Sequence, residues 1–136
     1  MKHYLFSYGT LLPELAPEEI APTIRRLRPV GRGRVRGWLY DLGEYPGAVL
    51  NDAGPAIEGQ VFQLPDDPEV LKRLDEYEEF DPGNPEGSLF VRKECSVDLD
   101  HGKRVPCWVY GYNRHPSSAA SLLNGDFAKS RTQKSR

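Results

Sequence analysis

Along most of this chain, apolar and polar residues alternate in short bursts. In one place the apolar residues recur at three- and four-residue spacing instead. The alternating bursts predict strands. They are Lys2 to Tyr8, the stretch "VGRGRVRGWLYDLG", then "YPGAVLND", "AIEGQVFQL", "LFVRKECSVDL" and "RVPCWVYGYN". Glycines punctuate the second of these, as in a tightly curved sheet. "NDAGP" is the turn between the third and fourth strands, and "DHGK" joins the last two in a hairpin. In "PELAPEEIAPTIRRL" the prolines interrupt the helical period, which leaves a short helix or a loop. From His115 onward the chain is polar, and "KSRTQKSR" reads as a frayed end. About six strands with no βαβ rhythm predict an α+β domain. The glycine-marked bends favour a small barrel over a doubly wound sheet. The domain is expected to span residues 1–128, with a disordered tail at 129–136. No internal repeat is visible.

The main helix is predicted over "DDPEVLKRLDEYEEF", where Asp66 or Asp67 caps the first turn and Pro68 suits its start. On a helical wheel at about 100° per residue, Val70, Leu71, Leu74 and Tyr77 form one apolar stripe. Asp75, Glu76 and Glu79 fall off the stripe or at its edge, where solvated charges belong. Glu78 falls inside it, seven residues after Leu71 and four after Leu74. A carboxyl group there loses water, which raises its pKa and suits it to exchange protons near neutral pH. The alternative is that the helix stops at Tyr77 and Glu78 turns outward.

Composition narrows the function classes. At 136 residues, with 38% apolar and 28% charged, the chain is long enough to bury a core and is neither disordered nor fibrous. A net charge of −2 gives no sign of a nucleic-acid or anionic-membrane partner. The basic stretch "RRLRPVGRGRVRG" sets Arg32, Arg34 and Arg36 on alternate positions, the wet face of a strand, with no aromatic residues interleaved. No run is apolar enough to span a bilayer, and "MKHYLFSYGT" lacks the apolar core of a signal peptide, so a cytoplasmic protein is expected. Cys95 and Cys107 form no CxxC and have no histidine at zinc spacing. They are expected to be two buried thiols on strands, with no metal site. No coiled-coil seam appears, which favours a monomer.

"FSYGTLL" ends the first strand at a glycine. Gly9 would let backbone approach a ligand, and the N–H groups of Gly9, Thr10 and Leu11 could converge on a carboxylate or a developing oxyanion. Taken alone, those residues favour a tight turn without a ligand, because such turns are common.

Taken together, the motifs resemble the γ-glutamylcyclotransferase-like, or AIG2-like, family. "YGTL" near the start is followed in the helix by "LDEYE". Between and after them, "GWLYDLGEYPGAV" is similar to the family's strand with a Tyr-Pro turn, and "IEGQVFQL" to its Gly-x-Val-Tyr strand. "FVRKECSV" is similar to its Tyr-x-Arg-x-x-x-Val strand, "CWVYGYN" to its tyrosine-ended strand, and "LLNGDF" to its Ser-Gly-Asp-Trp element. The likeness runs from Tyr4 to about Phe127. It departs at Phe90, where the family has tyrosine, at Phe127 for tryptophan, and at Glu79, where many members have glycine.

The resemblance implies a small mixed β-barrel flanked by one main helix and short helices, and a cofactor-independent cyclotransferase. In that reaction the α-amine of a γ-glutamyl amide attacks its own γ-carbonyl, releasing 5-oxoproline and an amine or amino acid. The family's catalytic acid/base falls on Glu78, three residues after Asp75. Its substrate loop falls on Tyr8, Gly9, Thr10 and Leu11. Tyr110 is a further candidate to touch substrate or orient Glu78, or else a tyrosine packed in the barrel. Arg92 could place a positive charge near the cavity, or be a solvent-side arginine. Tyr45 and Pro46 could shape the cavity wall, or form only a turn. The expected partner is a small γ-glutamyl compound, with neither nucleic acid nor membrane. A non-catalytic binding protein on the same barrel is the alternative.

Overall fold

The computed structural model describes residues 3–9, 11–43, 45–114 and 121–122. The elements run β1 (His3–Ser7), α1 (Ala21–Ile24), β2 (Arg28–Asp41), β3 (Pro46–Leu50), β4 (Ala56–Leu64), α2 (Pro68–Tyr77), β5 (Phe90–Leu99), β6 (Arg104–Tyr112) and β7 (Ser121–Leu122). The six strands expected from alternation all form. The two-residue β7 was not foreseen, because two residues are too few to show a period. The conformation of most of "LLNGDF" and the expected tail at 129–136 lie outside the described residues.

The strand order is β3-β2-β4-β1-β6-β5, and β2 pairs again with β5. Strands β2, β4, β1, β6 and β5 therefore close into a five-stranded barrel. Every pairing is antiparallel except β1 with β6, which run parallel at Leu5 and Trp108. The pattern predicts a barrel, and its mixed character is that of the family the chain resembles. The long β2 makes closure possible because Gly33 and Arg34 pair with β4 on one edge and with β5 on the other. Arg28–Arg36 pairs with β4, and Gly37–Asp41 pairs with β3. At the crossing of β2 and β5, a Cβ on Gly33 would lie 2.8 Å from Val97 Cγ1 and 3.0 Å from the Asp98 carbonyl. Only glycine lets the two strands meet that closely. Arg32 and Arg36 flank this position on the exposed face. Arg34 lies between them and bridges Glu58 and Asp100.

The strand period of two divides the core. Phe6, Val35, Leu39, Ile57, Val61, Val97 and Val109 fill one cluster. Leu5, Ile20, Ile24, Phe62, Val70 and Leu74 form the other, where α1 and α2 pack on the barrel. Leu5 and Ser7 thus share the face of β1 that looks toward α2, and Phe6 and Tyr8 share the opposite face. Asp67 caps α2, its carboxylate accepting from the Glu69 N–H at 3.0 Å. Cys95 and Cys107 are direct partners across β5 and β6, and both are free. Cys107 is buried as expected, and burial pushes its thiol up to about 12; Cys95 is only half-buried. Among the described residues no helix is long and apolar enough to cross a membrane.

Candidate active site

The site is built at the end of α2. The last helical residue is Tyr77, so the helix does stop where the alternative reading placed its end. Glu78 nevertheless does not turn away. Its N–H still bonds the Leu74 carbonyl at 3.0 Å, and the chain reverses one residue later. Glu79 adopts the left-handed conformation at φ 57°. Its N–H bonds Glu76 O at 3.2 Å, and the Phe80 N–H bonds Asp75 O at 2.9 Å. This pair of bonds is a Schellman motif, whose left-handed position is usually glycine because a Cβ is strained there. The turn holds Glu78 half-buried against a cavity.

That cavity encloses about 230 Å³. Its buried walls come from the end of β1 (Phe6, Ser7, Tyr8), from Leu11, and from Phe90 and Tyr110. Glu78 and Glu79 enter from the helix end, Tyr45 and Pro46 from the β2–β3 connection, and Glu19 from the segment before α1. Glu19 and Glu79 are exposed, which puts carboxylates at the mouth. Among the described residues no lysine, arginine or histidine lines the cavity. Loss of water raises the Glu78 pKa from 4.5 to about 8, and repulsion by Glu79 adds to the shift.

Gly9 lines this cavity, but the space beside it is occupied. A Cβ there would lie 2.6 Å from Pro46 Cγ, so glycine lets the Tyr45–Pro46 turn close over the loop. Tyr45 stands edge-on to Phe90, with ring centroids 5.9 Å apart.

Beneath the cavity, Asp75 corrects an expectation. The wheel put it among the solvated charges, yet it is buried. Its two oxygens accept from Arg92 Nε at 2.8 Å and Arg92 Nη2 at 3.2 Å. The first also accepts from the Tyr110 hydroxyl at 2.6 Å. The Arg92 guanidinium lies 4.4 Å from the Trp108 ring centroid and 5.5 Å from that of Phe80. Tyr110's carbonyl in turn accepts from the Tyr8 hydroxyl at 2.6 Å, and that hydroxyl accepts from the Ala48 N–H at 3.2 Å. Burial, with Asp75 next in effect, keeps Tyr110 protonated; burial and then the Glu78 charge do the same for Tyr8.

The structure therefore brings Tyr8, Gly9, Leu11, Tyr45, Glu78 and Tyr110 to one cavity. Thr10 lies outside the described residues. Arg92 is neither on the cavity wall nor on a solvent face; it neutralises Asp75 behind the wall. Wheel reasoning could not find this pair, because a helix-edge carboxylate is buried only when another element supplies its cation. Ser7, Glu19 and Phe90 also line the cavity, and neither alternation nor motif had marked Ser7 or Glu19.

A family profile described as "Gamma-glutamyl cyclotransferase, AIG2-like" matches residues 5–129. The chain belongs to that family. A Methanocaldococcus jannaschii protein, MJ1514, is 30% identical over 126 residues, spanning 91% of this chain and 94% of its own; its name gives γ-glutamylcyclotransferase activity provisionally. A Niallia circulans protein named γ-L-glutamyl-butirosin B γ-glutamyl cyclotransferase is 38% identical over 85 residues. That match spans 61% of this chain and 51% of the relative. Among solved structures, YkqA from Bacillus subtilis superposes with a TM-score of 0.72 at 21% identity, covering all of this chain and 44% of YkqA. The barrel is thus the family fold.

Two outcomes follow from the helix end. Asp75→Ala leaves Arg92 buried without its anion, and should lower stability by about 3–5 kcal/mol in denaturant melts. Glu79→Gly removes the left-handed strain and should raise stability by about 1 kcal/mol in the same measurement.

Proposed function

We propose that this protein is a γ-glutamyl cyclotransferase with Glu78 as its general acid/base. The observation that carries the reading is that Glu78, with its pKa raised to about 8, faces the same cavity as the Tyr8–Gly9 strand end. Family membership supports the reaction class.

The substrate is a γ-glutamyl amide with its glutamyl group at the closed end of the cavity. The ionised Glu78 carboxylate takes a proton from the substrate's α-ammonium. The freed amine attacks the γ-carbonyl carbon, and a C–N bond forms to close a five-membered ring. The tethered nucleophile needs only one rotamer set held in place, which is where a snug cavity gains most of its rate. Protonated Glu78 then gives its proton to the departing nitrogen as the original C–N bond breaks, and the regenerated carboxylate takes the second proton from the ring nitrogen and passes it to the released amine. The products are 5-oxoproline and the free amine. Protons balance through one carboxyl group, and no step calls for a cofactor. The departing amine leaves past Glu19 and Glu79, so leaving groups that carry a positive charge are favoured over anionic ones.

Incubation with a panel of γ-glutamyl compounds, read as 5-oxoproline released, tests this. The wild type should form product and Glu78→Gln should form almost none. Product from both would leave the reaction class standing without Glu78 as its acid/base. No product from either, with both folded, would favour a binding protein on the same barrel.

The pH dependence is equally specific. Because the carboxylate is the working base, kcat/KM should rise with pH through about 8, and Glu79→Gly should move that midpoint downward by removing a like charge. The substrate's ammonium titrates the same way with both enzymes, so the difference reports Glu78. Stability runs the other way. The folded state disfavours ionised Glu78, so stability falls as pH rises from about 4.5 to about 8. Glu78→Gln should therefore gain melting temperature over the wild type across that window.

A further inference from the structure

We propose that Ser7 is a substrate-binding residue whose hydroxyl donates to an oxygen of the γ-glutamyl group. The inference rests on the cyclotransferase reading and adds a contact to it. Ser7 closes β1 and is 3% exposed. Its Oγ is buried with no hydrogen-bond partner among the described residues. Leaving a buried hydroxyl unpaired is costly, and folded proteins rarely tolerate it without a use.

Its position supplies the use. Ser7 lines the cavity and lies on the face of β1 directed toward α2, the helix that delivers Glu78. The other buried hydroxyls of the wall are committed. Tyr8 has donated to the Tyr110 carbonyl and Tyr110 to Asp75. Among the described residues Ser7 donates to nothing. A bound γ-glutamyl group brings carboxylate and carbonyl oxygens into a cavity whose charged side chains are carboxylates, and those oxygens need donors. The Ser7 hydroxyl is such a donor, already desolvated, so its hydrogen bond forms without first losing water.

Depth decides which part of the substrate it meets. Ser7, Phe6 and Tyr110 are buried, whereas Glu19 and Glu79 are exposed at the mouth. The leaving group occupies the mouth and varies between substrates. The γ-glutamyl group is common to all of them and occupies the buried end. Loss of the Ser7 hydroxyl therefore weakens every substrate by a similar factor.

The test compares wild type, Ser7→Ala and Ser7→Cys for kcat/KM on several γ-glutamyl amides and for melting temperature. Ser7→Ala removes an unpaired buried hydroxyl, so its melting temperature should equal or exceed that of the wild type. Its kcat/KM should fall about 10- to 100-fold, by the same factor whatever the leaving group. Ser7→Cys keeps the volume but offers only a weak donor, and should be impaired nearly as much. An active wild type with unimpaired Ser7→Ala would overturn the assignment while leaving the cyclotransferase reading intact. Full activity in Ser7→Cys alone would mean that volume matters and the hydrogen bond does not. A loss of activity that tracks a loss of melting temperature in both variants would make Ser7 structural and overturn it too. A wild type inactive on every γ-glutamyl compound would overturn both readings together.

Discussion

The carboxylate of Asp75 is the point on which the site turns. Buried charge is tolerated only when it is paired and hydrogen-bonded. Asp75 meets that condition three ways: a bidentate arginine from β5, a tyrosine hydroxyl from β6, and aromatic rings that cover the arginine. From Tyr110 the hydrogen bonding passes to Tyr8 on β1 and on to Ala48 on β3. One chain of polar contacts thus fastens the last turn of α2 to four strands. With Asp75 fixed, the carbonyl that accepts from Phe80 is fixed as well, and the reversal at Glu79 follows. Glu78 is presented between these two anchored residues.

Two residues in the site sit in places their chemistry does not favour. Glu79 holds a left-handed backbone that glycine would adopt more readily. Ser7 carries a buried hydroxyl without a partner among the described residues. Away from the cavity the sequence obeys ordinary rules, with an aspartate cap on α2, a glycine where strands cross and alternation along the barrel. Local departures gathered around one cavity, in a molecule otherwise consistent, are how stability is exchanged for a binding surface.

Alternation and turn residues made the barrel strands legible, because each strand has one face buried and one wet. The hairpin at Asp100–Lys103 and the cap at Asp67 could be read from a few residues for the same reason: their physics is local. Glu78 was legible because a charge inside an apolar stripe is a local anomaly. Asp75 was misread because its partner lies on β5, and the wheel sees one helix at a time. Gly9 showed only that a Cβ is excluded; that Pro46 excludes it depends on a fold-level contact. Ser7 gave no signal, since an unpaired hydroxyl is defined by what surrounds it. The two-residue β7 was too short to carry a period at all.

The parallel contact between β1 and β6 has a consequence for how the protein is made. All other strand neighbours join by antiparallel pairing, but Leu5 waits for Trp108. The ribosome therefore releases Tyr8, on one wall of the cavity, 102 residues before the facing Tyr110. Until then β1 presents an open edge that can pair with β4 on one side alone. The nascent chain holds Tyr8 and Glu78 long before it holds a cavity, and synthesis of β6 is the event that closes it.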